Sequence, residues 1–398
     1  MSRRLPGTSL AQTTVEGLFT SADIFLHGER PWDLHVHDER FFRRVLTGGT
    51  LGLGESYMDG WWDCDALDEM CCRALRARLD QQVQLNFHTA LAVLTSHLLN
   101  LQSRDRARVV GKRHYDVGND LFERMLDPAM QYSCAWFRNT SDLAQAQREK
   151  MDLICRKLGL QRGMYLLDIG CGWGGLAKHA AKHYECRVVG ITISEQQCSY
   201  ASEACRGLPV EIRLQDYRDL KERFDRIVSV GMLEHVGAKN YRNYMEIVAR
   251  CLQDDGVVLC QTIAGNWSST YTDPWITRYI FPNSLLPSPA QVTRAAEKLF
   301  VLEDVQNLGA DYEKTLLAWE RNFSRSWDHF KGRYGERFCR MWRYYLLTCA
   351  GAFRARDLQV FQFLFSKGGA RYLPARTAWL YPERIAHASP PHSVKVSA

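Results

Sequence analysis

The stretch LLDIGCGWGGLAKHA, Leu166 to Ala180, carries the reading of the fold. An apolar run reaches Asp168, then Gly170, Gly172, Gly174 and Gly175 crowd one turn before a helical pattern resumes. Glycines at that place let the backbone approach a ligand and leave amide groups free to face it. The spacing satisfies the dinucleotide fingerprint G-x-G-x-x-G, and equally the looser glycine loop of S-adenosylmethionine (SAM) enzymes. The loop alone does not choose between a pyrophosphate and a sulfonium.

Working outward, strand and helix patterns alternate. MYLLDIG, CRVVGITI, VEIRLQD, FDRIVSVG and GVVLCQTIAG read as strands, while GLAKHAAKHY, SEQQCSYASEAC and YRNYMEIVARCL read as helices. Continuous apolar strands between helices imply a mostly parallel α/β sheet covered on both faces. Ligands of such sheets sit at the carboxyl ends of the strands. Two of those ends discriminate. A NAD site wants a carboxylate about 20 residues on, ending the second strand. Here that end offers Thr192 and Ser194, with no acid before Glu195. The third strand ends in LQDYRDL, where Asp216 is suited to accept from an adenine amine and Tyr217 to lie on the ring. No second mononucleotide-binding half follows, so the residues favour the sulfonium. Aromatic faces suit its charge, and Trp173 reads either as such a wall or as a side chain packing the loop onto the sheet.

The totals of the 398-residue chain fit an ordinary globular protein, with 46% hydrophobic and 24% charged residues. A net charge of +6 is too mild to argue for nucleic acid. No Asn/Asp-Pro-Pro-Tyr/Phe word for gripping a base amine is present either. Arg40, Arg43 and Arg44 sit together, as do Arg104, Arg106, Arg108, Lys112 and Arg113. Such clusters read as solvated faces or as a surface for anionic lipid headgroups. Thirteen scattered cysteines without a C-x-x-C pair suit a reducing cytosol, and no metal ligand set is expected. The stretch LNFHTALAVLTSHLLNL reads as an amphipathic helix, not a span, so any membrane contact is expected to be peripheral.

Residues 1–102 are expected to form a small, mainly helical N-terminal domain, in which TGGTLGLGE reads as a turn-rich loop. Residues 103–113 read as a basic linker, 114–375 as the catalytic domain and 376–398 as a flexible tail. The segment Asn266 to Pro289 is too long for a tight connection and reads as a lid or insertion. Beyond it, Phe323, Trp327, Phe330, Tyr334, Phe338 and Trp342 recur at helical spacing, broken near Gly332 and Gly335. The stripe is either a core face or part of a ligand groove.

Several long words resemble bacterial cyclopropane-fatty-acyl-phospholipid synthases and their mycolic-acid cousins. They are HYDVGNDLFERMLDPAMQYSCAWF, LDIGCGWGGLA, GITISEQQ, LQDYRDL, FDRIVSVGMLEHVG, DPWITRYIFPN, GADYEKTLLAW and CAGAFRARD, and the likeness spans roughly residues 20 to 370. It implies a class I SAM-dependent methyltransferase fold. The implied reaction transfers a methylene to a cis double bond of a membrane phospholipid acyl chain. It implies SAM and bicarbonate as cofactors, a homodimer involving the small N-terminal domain, and a cytoplasmic enzyme at the inner membrane face.

Carried over residue by residue, the resemblance places Glu234, Tyr312, the loop at Cys134 and the backbone of Ile263 around bicarbonate. The residues alone leave Glu234 open as an ion-pair partner of His235 or an arginine. Tyr132 and Ser133 are expected at the methionine end of SAM. They join Asp168, Gly170, Gly172, Gly174, Thr192, Ser194, Gln197, Gln215, Asp216 and Tyr217 as the cofactor set. His114, Tyr115 and Asp116 are expected to begin a flap. Cys349, once a candidate nucleophile in the family, reads as a small buried hydrophobe.

The chain departs from the family at Gln261, where the usual word has histidine. A glutamine cannot take a proton at neutral pH but its amide can donate to an anion. Either bicarbonate is kept with Gln261 as a neutral donor, or deprotonation changes and gives a methyl-branched or methylene product, or slow turnover.

Overall fold

The structure, a computed structural model, describes residues 9–79, 118–368 and 380. The expected amphipathic helix at 85–101, the basic linker, His114 to Asp116 and the C-terminal tail lie outside the described residues.

The sheet has seven strands in the order β5-β4-β3-β6-β7-β9-β8. They are β3 (Tyr165–Ile169), β4 (Arg187–Thr192), β5 (Val210–Leu214), β6 (Phe224–Val230), β7 (Leu252–Gly265), β8 (Val301–Asn307) and β9 (Leu358–Ser366). The first five pair in parallel, and β9 runs antiparallel between β7 and β8. Alternation along the strands feeds two cores. Leu166, Val188 and Val228 face one, while Leu167, Ile169, Val189, Ile191 and Ile227 face the other. Strand order reverses between β3 and β6, so the crevice at their carboxyl ends is where this topology places a ligand. The glycine turn and Gly231 end these two strands.

Ahead of the sheet come α1 (Leu10–Ser21), β1 (His35–Val36), α2 (Arg40–Met58), β2 (Trp62–Asp63), α3 (Leu67–Arg76), α4 (Asn119–Met125) and α5 (Leu143–Lys157). The expected loop TGGTLGLGE is instead helical: α2 runs through it with one kink at Gly49 (φ 54, ψ −134). Packing overrides glycine's poor helix propensity here. A Cβ on Gly54 would stand 2.4 Å from the Trp275 ring, and on Gly52 2.2 Å from the Arg44 carbonyl oxygen. The glycines allow close approach.

The sheet is interleaved and followed by α6 (Gly175–Tyr184), α7 (Glu195–Ala204), α8 (Leu233–Val236), α9 (Tyr241–Cys251), α10 (Pro274–Tyr279), α11 (Pro289–Ala296), α12 (Gly309–Arg325), α13 (Trp327–Tyr334) and α14 (Glu336–Arg354). Helix α14 fastens the N-terminal helices to the rest. Arg354 reaches Asp68 (2.5 Å), Glu69 (3.1 Å) and Glu313 (2.8 Å), and Arg340 reaches Asp63 (2.7 Å). One apolar cluster continues from Val15 and Phe41 through Trp62 to Trp342 and Phe353. Two of the three arginines of α2 are engaged locally: Arg44 pairs with Glu55 and Asp59, and Arg40 pairs with Asp38 and lies over the Trp61 ring.

The aromatic stripe is core. Phe323 stacks on Phe330 (4.9 Å, 11°) and Phe338 on Trp342 (5.8 Å, 18°), with the helix break at Gly335 (φ 85). Among the described residues no helix is long and apolar enough to cross a membrane.

The α3–α14 contact is tight at Gly351, where a Cβ would lie 2.3 Å from the Asp68 carbonyl oxygen. Gly351→Ala is expected to destabilise the protein by about 1–3 kcal/mol, read as a lowered midpoint in denaturant unfolding.

Candidate active site

The crevice holds a cavity of about 260 Å³. Its floor is the glycine turn. Gly170 (φ 79), Gly172 (φ 55) and Gly174 (φ 81) all adopt left-handed backbone, which L side chains avoid. A Cβ on Gly170 would strike the Met232 sulfur at 2.6 Å, whereas the space above Gly172 is open. Gly174 does not line the cavity. It is the N-cap of α6, where a Cβ would stand 3.0 Å from the Ala201 Cβ, so its part is the turn itself. Trp173 lines the cavity, as the first reading has it, and its packing is onto α4 instead of the sheet: its ring tilts against Phe122 (4.8 Å, 47°) and its Nε1 donates to Asn119 (3.0 Å).

The end of β4 forms an interlocked wall. Thr192 Oγ1 donates to Gln197 Oε1 (2.9 Å) and accepts from the Ser194 amide (3.2 Å), and Ser194 Oγ caps α7 by accepting from the Gln197 amide (3.3 Å). At the end of β5, Gln215, Asp216 and Tyr217 line the same cavity. Asp216 accepts from the Arg218 amide (3.0 Å), and Tyr217 packs on Tyr244 with its hydroxyl buried and unpartnered. Asp168, last but one in β3, is 2% exposed, and its Oδ2 has no partner. Burial pushes its carboxyl up to about 7 against the pull of Lys150. An open glycine floor, free carboxylate and hydroxyl groups, and an aromatic wall fit the donor set that SAM needs.

Opposite, α8 brings in Glu234. Its Oε1 accepts from the Ile263 amide at 2.6 Å, and its Oε2 is buried without a partner. Burial pushes this carboxyl up to about 7. Among the described residues Glu234 forms an ion pair with neither His235 nor an arginine, and burial holds His235 neutral, down at about 4. The Ile263 amide is engaged by Glu234 and is therefore not free for an anion. Gln261 lines the cavity and its Oε1 accepts from Gln362 Nε2 (2.9 Å), which leaves its NH2 as the group for a ligand. Tyr312 faces the cavity, and burial raises its phenol far above the ordinary value. Cys134 turns its thiol toward the carbonyls of Ala135 (3.2 Å) and Leu308 (3.5 Å).

Cys349 is elsewhere. It lines a second, larger cavity of about 1010 Å³. This one is walled by Leu18, Val45, Leu53 and Met70 from the N-terminal helices, by Trp275 from the insertion, and by Tyr344, Tyr345 and Phe353 from α14. The two cavities share Ile263, Phe281, Asn283, Ser284, Leu286 and Tyr312 as a boundary. Segment Asn266 to Pro289 thus walls both cavities. Cys349 has its thiol pushed up to about 12 by burial, unfit for nucleophilic work.

The sequence reading missed Lys150, fully buried on α5, with Nζ donating to Gln131 Oε1 (2.6 Å) and Ser133 Oγ (2.9 Å). Its signal was a lysine on the inward face of a helix whose neighbours Ala146, Gln147 and Ile154 are buried.

Glu234 binds its proton more tightly folded, at about 7, than its ordinary 4.5. Its contribution to stability is therefore complete at low pH and lost as pH rises through 4.5 to 7, a change of about 3 kcal/mol. Glu234→Gln removes that slope, so the melting temperature of the variant is expected to gain on the wild type between pH 5 and pH 8.

A family model described as mycolic acid cyclopropane synthetase matches residues 102–363. The chain is 53% identical over 351 residues to the cyclopropane-fatty-acyl-phospholipid synthase of Escherichia coli K12, covering 88% of this chain and 92% of that one. Among solved structures, the cyclopropane synthase MmaA2 from Mycobacterium tuberculosis superposes with a TM-score of 0.62 at 32% identity, over 68% of this chain and all of that one. A mycolic acid cyclopropane synthase complexed with SAH and CTAB gives 0.62 at 34% identity, over 65% of this chain and 98% of that one. With its glycine floor, its buried Glu234 and this breadth of likeness, the chain belongs to the mycolic acid cyclopropane synthetase family of SAM-dependent methyltransferases.

Proposed function

We propose that the chain transfers a methylene from SAM to the cis double bond of an unsaturated phospholipid acyl chain and closes a cyclopropane ring. The observation that carries this reading is the boundary between the cavities. A cradle for a sulfonium cofactor meets a large apolar cavity at Tyr312 and Ile263, with the free Glu234 carboxyl oxygen beside them.

SAM, when bound, supplies an electrophilic methyl group. Gly170 and Gly172 admit it by offering backbone without side chains, and Trp173 and Tyr217 give it aromatic walls. The apolar cavity holds the acyl chain and excludes water, which preserves the positive charge that an alkene acquires on alkylation. Tyr344, Tyr345 and Trp275 surround that route with aromatic faces.

One proton must then leave the former methyl. Bicarbonate, when bound, supplies the acceptor. Glu234, neutral up to about pH 7, donates from Oε2 toward such an anion while Ile263 fixes its other oxygen. Gln261 offers its NH2 and Tyr312 its hydroxyl. Gln261 thereby keeps the donor function of the family's histidine, which is why the ring product is favoured over a methyl-branched or methylene one. The substrate is reached from a membrane surface by peripheral contact, on the cytoplasmic side, and the protein acts as a homodimer through its N-terminal segment.

Incubation with SAM and dioleoyl phospholipid vesicles is expected to add one CH2 to the fatty methyl esters in mass spectrometry, with loss of the alkene signal in NMR. A retained alkene signal sinks the ring reading. Gln261→His is expected to lower the bicarbonate concentration needed for half-maximal rate. Cys349→Ala is expected to keep turnover within about fivefold, whereas Glu234→Ala, which removes the donor to the anion, is expected to lose about tenfold to a hundredfold, the range of one hydrogen bond to a charged group.

A further inference from the structure

The loop Asp127 to Trp136 carries Tyr132, Ser133 and Cys134 over the cofactor cavity, and two side chains of α5 grip it from behind. Gln147 Nε2 donates to the Ser133 carbonyl (2.9 Å) and the Gln131 carbonyl (3.3 Å). Lys150 Nζ donates to Gln131 Oε1 (2.6 Å) and Ser133 Oγ (2.9 Å). Gln131 in turn is tied by its amide to Asp127 (2.9 Å), and the loop presses on the start of α6, where a Cβ on Gly175 would stand 2.1 Å from the Ala129 carbonyl oxygen.

A fully buried cation is costly, and an apolar residue of that volume would serve packing better. Among the described residues no carboxylate reaches ion-pair distance of Lys150. What the ammonium does provide is direction. It has only protons to give, so Ser133 Oγ must accept, and the serine's own proton has to point away, on the side where Ser133 lines the cavity. We infer that Lys150 is a positioning residue for the cofactor: it commits the Ser133 hydroxyl as a donor toward the amino-acid end of SAM. The inference rests on the SAM reading given under Proposed function.

Titration follows from the same geometry. The groups acting on Lys150 are Asp127 and Asp168, whose charges hold its proton, together with the buried thiols Cys134 and Cys155; burial outweighs them and brings the amine down to about 8. Above that pH the neutral amine can accept a hydrogen bond, and the Ser133 proton turns inward.

The test is calorimetric binding of S-adenosylhomocysteine to the full chain at pH 7 and pH 9, for wild type, Ser133→Ala and Lys150→Met. The ligand's own amino group titrates in all three and cancels in the comparison. Wild type is expected to weaken about tenfold more than Ser133→Ala across that rise, the range of one hydrogen bond to a charged group. Lys150→Met is expected to be about tenfold weaker at pH 7 and to share the flatter profile. Should Lys150→Met fail to fold, the wild-type against Ser133→Ala comparison decides alone. Equal pH dependence in wild type and Ser133→Ala overturns the role of Lys150, whereas absence of binding by wild type overturns the cofactor reading beneath it.

Discussion

The hydrogen bond from the Ile263 amide to Glu234 Oε1, 2.6 Å long, is the constraint on which the chemistry of the site depends. It ties the short helix after β6 to the carboxyl end of β7, the two neighbours beside the topological switch point. One oxygen is held and the other is left free, so the carboxyl is aimed without being neutralised by a cation. Burial then keeps it protonated near neutrality. A lysine or arginine partner would have given a permanent carboxylate, which would repel an anionic base. The hydrogen bond thus sets the position of Glu234, and burial sets its protonation by outweighing the pull of the Ile263 amide.

The fold was legible because its signals are local. Strand ends, glycine turn and N-caps occupy a few residues each, and the reading of Asp168, Thr192, Ser194 and Asp216 as one cradle needed only the rule that parallel strands present their carboxyl ends together. What was not legible depended on distant partners. TGGTLGLGE has the composition of a loop, yet Trp275, more than two hundred residues on, packs against Gly54 and makes it helical. Lys150 looks like any helical surface lysine until Gln131 and Ser133 are folded onto it. The large cavity takes walls from α1, α2, α3, the insertion and α14, spread along the chain from Leu18 to Leu358.

The aromatic stripe shows the same limit from the other side. Its spacing correctly marked a helical pair broken at Gly335, but spacing cannot say which side of a helix faces a void. The stripe closes on itself through Phe323, Phe330 and Trp342, all buried. It is Tyr344 and Tyr345, a short step farther along α14, that turn toward the apolar cavity. Tyr345 also meets the Tyr132 hydroxyl at 2.9 Å, so the helix that walls the apolar cavity touches the loop over the smaller one.

Three buried polar atoms without partners face one cavity, while others, among them Gln306 Oε1 and Trp319 Nε1, lie elsewhere in the fold. Lys157 and Asp304 are also buried, far from the crevice, but they pair with each other at 3.2 Å and leave no charge unanswered. Around the crevice the opposite holds: Asp168 Oδ2, Glu234 Oε2 and the Tyr217 hydroxyl are all buried without partners, and all three residues line one cavity. Each such group costs about 1–3 kcal/mol if nothing meets it. Folded proteins satisfy nearly all of their buried polar groups, so three orphans facing one space mark where a ligand completes the hydrogen bonding. Gln261 belongs to the same logic. Gln362 answers its carbonyl and leaves its NH2 for the cavity, so a neutral residue still presents a donor at that place.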